Sequence, residues 1–186
     1  MRLYWSLFFQ PLSILLSDRI VPASPVVLPN YAKKIGFIRK KVREISGFID
    51  YMELWREFSK EKEQNCIHFP YFIFIGSLDR HKGCMESIRI YHKAIELLQS
   101  PLPPLMICGD GKEFVNAYKL CEKLKINVVN SIPEKEVQNT VAFLGDIENI
   151  YSLMKGSSLL IAPSYNKGLS NAIIEALYFS IPIIST

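Results

Sequence analysis

Polar groups that suit phosphate and sugar chemistry are concentrated in residues 163–186, PSYNKGLSNAIIEALYFSIPIIST. The pattern predicts the end of a strand, a polar loop with Lys167 and Gly168, a helix that opens at Ser170 and Asn171, and a new strand. Free backbone N–H groups and the helix dipole favour a phosphate at such a helix start. This junction is therefore the first candidate site.

Glu175 lies about one turn into that predicted helix, and its neighbours in sequence are apolar. A carboxylate can accept two hydrogen bonds from a ribose diol, and hydrogen bonds to a charged group contribute about 1.5–3 kcal/mol each. A lone glutamate in so apolar a helix is costly unless it faces a solvated site. We favour a sugar-binding role for Glu175 over the alternative, a helix face turned to bulk solvent.

The segment GSLDRHKG, residues 76–83, places a cation just before another predicted helix. Lys82 can meet a phosphate there whose oxygens also reach the N–H groups of the helix start. Gly76 and Gly83 let the backbone approach a ligand closely. Arg80 is a second candidate cation, and a solvated surface lysine is the competing interpretation of Lys82.

Glycines end two later strands as well. Gly109 and Gly111 form a GxG between a strand and a helix, but Phe114 stands where a dinucleotide site would have its third glycine. An NAD-dependent enzyme is therefore disfavoured, and a tight turn also explains this GxG. Gly145 ends the next strand. Because the carboxyl ends of parallel strands share one edge, the recurrence of glycine there indicates a ligand site.

The elements that must position these residues alternate regularly from Tyr71 onwards. This order predicts an α/β fold with a Rossmann-like parallel sheet and helices on both faces. Leu98 is expected on the apolar face of the first helix, and INVVN is ambiguous between strand and loop. The predicted strands are 71–76, 105–109, 141–145, 158–164 and 181–186, and the predicted helices are 83–99, 112–124, 147–155 and 170–179.

The first 70 residues differ in character from the rest. An apolar segment, LYWSLFFQPLSILL, is too short to span a membrane and is interrupted by Pro11. We interpret it as a buried helix that ends near Asp18, with a signal peptide as the alternative. Residues 51–70 are expected to form a charged amphipathic helix or linker.

Composition excludes several classes of protein. A hydrophobic content of 49% is ample for a core, and a net charge of +4 without a basic, aromatic stripe argues against nucleic acid as a partner. The cysteines form no CxxC pair, and the three histidines add no zinc spacing. We expect no structural metal and a reducing, cytoplasmic compartment. The four cysteines are Cys66, Cys84, Cys108 and Cys121.

A set of motifs follows a fixed order along residues 71–186. They are Gly76-Ser77-Leu78 with Lys82-Gly83, Gly109-Asp110-Gly111, Val141-x-Phe143-x-Gly145, Pro163-Ser164 with Gly168, Glu175-Ala176 and Pro182-Ile183-Ile184. Together these motifs resemble the retaining glycosyltransferases of the GT-B fold, family 4, or glycosyl transferases group 1. The resemblance implies the C-terminal, donor-binding half of such an enzyme.

The resemblance further implies a nucleotide-diphosphate sugar as donor, no essential metal or other cofactor, and retention at the anomeric carbon. Lys82 would be the catalytic residue, because it would neutralise the diphosphate leaving group. Glu175 would bind the ribose, and the loop after Gly145 would border the base. The implied donor-binding residues are Gly76, Ser77, Arg80, Lys82, Gly109, Gly111, Gly145, Asp146, Ile147, Lys167, Gly168, Leu169, Ser170, Asn171 and Glu175.

Two residues depart from the family pattern. Ser77 stands where the family usually has an arginine, so one cation is missing unless Arg80 substitutes for it. Lys167 stands where the family usually has a glutamate that contacts the donor sugar. The alternative function is therefore a non-catalytic module that binds nucleotide sugar, or an inactive remnant.

The family pattern also sets expectations for domains and partners. Residues 1–50 would be a remnant of the N-terminal acceptor domain and hinge, and residues 71–186 a nucleotide domain that is cut short at its C-terminus. The acceptor would be a glycan or a lipid-linked saccharide in polysaccharide assembly. A cytoplasmic protein is expected, and peripheral association with the inner face of the membrane is compatible with such an acceptor.

Overall fold

The strands form a six-stranded sheet in which all neighbours run parallel. The structure, a computed structural model, describes residues 67–148, 150–165 and 170–186. The strands are β1 (Phe72–Ile75), β2 (Leu105–Cys108), β3 (Asn127–Val129), β4 (Thr140–Gly145), β5 (Leu159–Ala162) and β6 (Ile183–Ser185). Within these residues the helices are α1 (Cys84–Leu98), α2 (Phe114–Lys123), α3 (Ile150–Gly156) and α4 (Asn171–Tyr178), and a 3-10 turn spans Arg80–Lys82.

The strand order β3-β4-β2-β1-β5-β6 contains a change of direction at β1. The chain leaves β1 towards β2 on one side, and after β4 it crosses back to β5 on the other side. The carboxyl ends of β1 and β5 therefore flank the topological switch point of the sheet. Open parallel sheets bind ligands in the crevice at this point.

Two apolar cores cover the two faces of the sheet. Successive strand residues point to opposite faces, so Phe74 packs in one core and its neighbour Ile73 in the other. The first core receives α1 and α2, and the second receives α3 and α4. The helix residues buried in the first core are Cys84, Ile88, Tyr91, Ala117 and Cys121, and those in the second are Leu153, Met154 and Ala176.

The hydroxyl of Tyr91 fixes α1 against the sheet. It donates a hydrogen bond to the carbonyl of Pro103 (2.8 Å) and accepts one from the backbone N–H of Thr140 (3.1 Å). Burial raises the pKa of Tyr91 well above its ordinary value, so the phenol stays protonated. These bonds hold the helix whose N-terminus borders the candidate site.

Cys84, Cys108 and Cys121 are buried, free thiols. Burial raises the pKa of each thiol to about 12, so each stays protonated and packs as a small apolar group. Cys66 lies outside the described residues.

The predicted α/β fold, with a Rossmann-like parallel sheet and helices on both faces, is confirmed. Leu98 was wrongly placed on the apolar face, because it is 62% exposed at the last turn of α1. Periodicity along a helix cannot show where the sheet beneath it ends. The ambiguous INVVN segment contains the edge strand β3. The predicted helix 147–155 begins only at Ile150, and Ile147 packs into the second core from the preceding loop.

The described residues begin at Ile67, so the expectations for residues 1–50 and most of 51–70 lie outside them. Among the described residues, no helix combines the length and the apolar character needed to cross a bilayer.

Candidate functional site

The glycines that end β1, β2 and β4 lie side by side at one edge of the sheet. The N–H of Gly76 donates to the carbonyl of Cys108 (3.0 Å), and the N–H of Gly109 donates to the carbonyl of Gly145 (2.7 Å). A Cβ on Gly109 would overlap the carbonyl oxygen of Gly76. Glycine is thus required here for close contact between strand ends. The predicted gathering of these glycines is observed.

Gly145 differs from the other two, because a Cβ built on it would meet no atom within 4 Å. Its φ of 67° is left-handed. The loop that follows carries an exposed Asp146 and a half-buried Ile147. Open space above Gly145 leaves room at this point of the edge for a ligand.

The second glycine of the GxG motif has a packing role. A Cβ on Gly111 would overlap the backbone of Leu78, which lies in the loop after β1. The N–H of Leu78 donates a hydrogen bond to the carbonyl of Asp110 (2.9 Å), and the carbonyl of Leu78 accepts one from the N–H of Glu113 (2.8 Å). The tight-turn interpretation of this GxG is therefore sufficient.

Lys82 lies over the end of β1. Its Cβ and Cδ would each be 3.9 Å from a Cβ on Gly76, so the aliphatic part of the side chain covers that glycine. Lys82 is exposed and forms no ion pair with any residue in the described part of the chain. A cation is therefore free to meet an anion at the switch point. Ser77 beside it is half-buried.

Arg80 lines a cavity at the start of the first helix. That cavity has a volume of about 430 Å³ and is lined by Asp79, Arg80, Cys84, Met85, Glu86, Arg89, Glu113 and Tyr165. Lys82 is not among these residues. The substitution of Arg80 for the arginine that is missing at position 77 stays a prediction.

The loop after β5 packs directly on the loop after β1. Gly83, the residue before α1, has a φ of 81°, and a Cβ on it would overlap the carbonyl of Pro163. The carbonyl of His81 accepts hydrogen bonds from the N–H of Tyr165 (3.1 Å) and from the Ser164 hydroxyl (3.2 Å). The two loops predicted to hold phosphate are thus in contact.

The helix after this loop begins where the sequence predicts. Ser170 is the N-cap of α4, and its hydroxyl oxygen accepts a hydrogen bond from the N–H of Ile173 (3.4 Å). Asn171, the first helical residue, is exposed. Lys167, Gly168 and Leu169 lie outside the described residues, so their predicted contacts with the donor stay predictions.

Glu175 is half-buried on α4, on the side of the sheet that carries the second core. Burial raises the pKa of its carboxyl above the ordinary value. No other described residue donates a hydrogen bond to this carboxylate or forms an ion pair with it. A partly desolvated carboxylate without a partner is expected where a ligand supplies the donors.

No group of three or more potential metal ligands occurs among residues 67–148, 150–165 and 170–186. Sequence reasoning missed Tyr165, the aromatic residue of the loop after β5. Its position next to Pro163-Ser164 gave no indication of a contact with the first helix.

The fold is that of the GT-B glycosyltransferases, whose solved structures this chain matches. The model of the family "Glycosyl transferases group 1" matches residues 56–186. The chain belongs to this family.

Two curated proteins and one solved structure illustrate the similarity. The chain is 33% identical over 128 residues to an uncharacterized glycosyltransferase of Methanocaldococcus jannaschii, covering 68% of this chain and 28% of that protein. It is 32% identical over 117 residues to a Campylobacter jejuni alpha-1,4-N-acetyl-D-galactosaminyltransferase, whose name specifies a saccharide on PP-undecaprenol, covering 61% and 28%. The structure of S. aureus TarM with fondaparinux, alpha-GlcNAc-glycerol and UDP superimposes with a TM-score of 0.66 at 12% identity, covering 93% of this chain and 30% of TarM.

The chain thus spans 28% of the length of each of these two curated relatives. The TarM likeness shows the fold alone.

Proposed function

We propose that this chain is the donor-binding part of a retaining glycosyltransferase that uses a nucleotide-diphosphate sugar without a metal. One observation carries the proposal: Glu175, half-buried and without a described partner, lies on the helix that follows β5 at the switch point. A ribose diol supplies the donors that this carboxylate lacks. The names of the matched relatives support transfer chemistry.

Lys82 acts on the diphosphate in this proposal. When the bond between the anomeric carbon and the diphosphate breaks, the leaving oxygen gains negative charge. The oxygen of an acceptor hydroxyl forms the new bond to the anomeric carbon, and its proton passes to the leaving diphosphate. A cation over Gly76 stabilises the developing charge. The N–H groups at the start of α4 bind the phosphate oxygens, and the space above Gly145 receives the base.

The acceptor class is a glycan or a lipid-linked saccharide. The Campylobacter relative, named for a PP-undecaprenol substrate, supports the lipid-linked case. Such an acceptor would place the protein at the inner face of the membrane as a peripheral, cytoplasmic partner.

A second candidate function, nucleotide-sugar binding without transfer, is favoured by Lys167. This residue replaces the acid with which the family contacts the donor sugar. This second function would be favoured if a protein that contains an acceptor domain binds the donor but transfers no glycosyl group to any acceptor.

Thermal unfolding of the chain with UDP, GDP, ADP, their sugars and NAD tests donor binding. A ligand bound only to the native state stabilises it by about 2.7 kcal/mol at a hundredfold excess over Kd. We expect stabilisation by the diphosphates and sugars of one base and none by NAD. A cooperative transition that no nucleotide shifts would refute the proposed donor site.

Replacing Lys82 with glutamine should weaken nucleoside diphosphate binding roughly tenfold, since the lost charge-assisted contact is worth about 1.5 kcal/mol at an exposed position. Calorimetric titration should also show weaker salt dependence in the variant. Lys119→Gln, an exposed lysine on α2, is the control and should bind as the wild type does. Equal affinity of both variants would assign Lys82 to the solvated surface.

A further inference from the structure

Tyr165 bridges the loop after β5 and the first turn of α1. Its hydroxyl donates a hydrogen bond to Glu86 Oε1 at 2.8 Å, across 79 residues of sequence. The same carboxylate oxygen pairs with Arg89 at 3.0 Å, one helical turn further on. Glu86 is thereby held in place from both sides, although Tyr165 itself is 61% exposed.

The backbone beside Tyr165 is attached to the same part of the chain. The carbonyl of His81 accepts from the N–H of Tyr165 and from the hydroxyl of Ser164, at 3.1 and 3.2 Å. His81 immediately precedes Lys82. The hydroxyl of Thr186 donates to the carbonyl of Ser164 at 3.1 Å, which fixes the loop from the side of β6.

These contacts join the two halves of the proposed donor site. One half is the loop with Lys82, and the other is residues 163–165, which follow β5. A phosphate group that contacts both halves binds more tightly when their separation is fixed beforehand, because ordering a loop on binding costs affinity. The exposed ring of Tyr165 buries little apolar surface, so its main interaction is the hydrogen bond from its hydroxyl to Glu86.

We propose that Tyr165 is a positioning residue, and that its hydroxyl bond to Glu86 fixes residues 163–165 beside the loop with Lys82 for a nucleoside diphosphate. This inference rests on the proposed function. Glu86 and Arg89 form the support of Tyr165 and do not touch the donor.

The test is a double-mutant cycle measured by calorimetric titration with the diphosphate, among UDP, GDP and ADP, that stabilises the wild type most. Tyr165→Phe should weaken binding about three- to tenfold in the wild-type background, as expected for the loss of one ordinary hydrogen bond at an exposed position. In the Lys82→Gln background the Tyr165→Phe substitution should change affinity less than about twofold, because the cation that Tyr165 positions is gone. A purely structural role would give the same loss in both backgrounds.

Two further variants make the test independent of folding. Glu86→Gln retains an oxygen that accepts from the Tyr165 hydroxyl and should keep most of the affinity, whereas Glu86→Ala should behave as Tyr165→Phe does. Tyr118→Phe is the control, because no described residue hydrogen-bonds the hydroxyl of this half-buried tyrosine. The midpoint of thermal unfolding should be unchanged in Tyr165→Phe.

The outcomes separate the two proposals. A wild type that binds none of the diphosphates refutes the donor site and removes this inference with it. A wild type that binds, with Tyr165→Phe equal to it or with additive losses in the cycle, refutes the positioning role alone.

Discussion

Replacing Glu175 with alanine is expected to lower the affinity for the nucleoside diphosphate roughly 10- to 150-fold without lowering the stability of the free protein. The affinity falls because a hydrogen bond from the ribose to a carboxylate contributes about 1.5–3 kcal/mol. Stability is retained because no described residue depends on this carboxylate for a hydrogen bond. Calorimetric titration and urea unfolding of both proteins measure the two effects.

The control for this variant is Glu122→Ala, an exposed glutamate on α2. It should leave both affinity and stability near the wild-type values. Unchanged affinity in Glu175→Ala would contradict the ribose role. Loss of both affinity and stability would instead indicate that Glu175 supports the fold.

The pH dependence of the unfolding free energy should show that the Glu175 carboxyl is partly buried. Burial raises the pKa of Glu175, so the native state binds this proton more tightly than the unfolded chain does. Between the ordinary and the raised pKa, the contribution of Glu175 to stability therefore falls as pH rises. Compared with the wild type, Glu175→Gln should be more stable above this window and lose that advantage below it.

Replacing Gly83 with alanine is expected to cost about 2–5 kcal/mol of unfolding free energy, the largest stability effect in this region. A left-handed φ of 81° costs an L-residue about 1–2 kcal/mol, and overpacking adds roughly 1–3 kcal/mol. The overpacking arises because the new Cβ would overlap the carbonyl of Pro163. Urea unfolding gives the difference directly.

Gly145→Ala separates the two contributions. Its φ of 67° is also left-handed, but nothing lies within 4 Å of a Cβ there. It should therefore lose only the conformational part, about 1–2 kcal/mol. Equal losses in the two variants would contradict the close packing of the loop after β1 on the loop after β5.

The sequence predicted the parts of this structure that local pattern controls. Apolar runs that end in glycine became β1, β2 and β4, and Ser170 caps the helix that it was expected to open. These features depend on residues close in sequence, through strand burial and through capping. The ordered motifs also led to the family that residues 56–186 match.

Features that depend on tertiary packing could not be predicted in this way. Parallel alternation leaves the strand order open, so the position of β5 beside β1 became known only from the structure. The same holds for the contact of Gly83 with Pro163 and of Tyr165 with Glu86, each separated by about eighty residues. A glycine in a loop predicts a turn, but its neighbour across the fold has no local signature.

Backbone amide NMR of the chain, titrated with a nucleoside diphosphate, tests the location of the donor site most directly. We expect the largest shifts at the carboxyl edge of the sheet, at Gly76, Ser77, Gly109, Gly145, Ser170 and Asn171. Amides at the opposite edge, such as Leu102 and Ser158, should not move. Shifts confined to that opposite edge, or to the cavity lined by Arg80 and Arg89, would contradict a donor site at the switch point between β1 and β5.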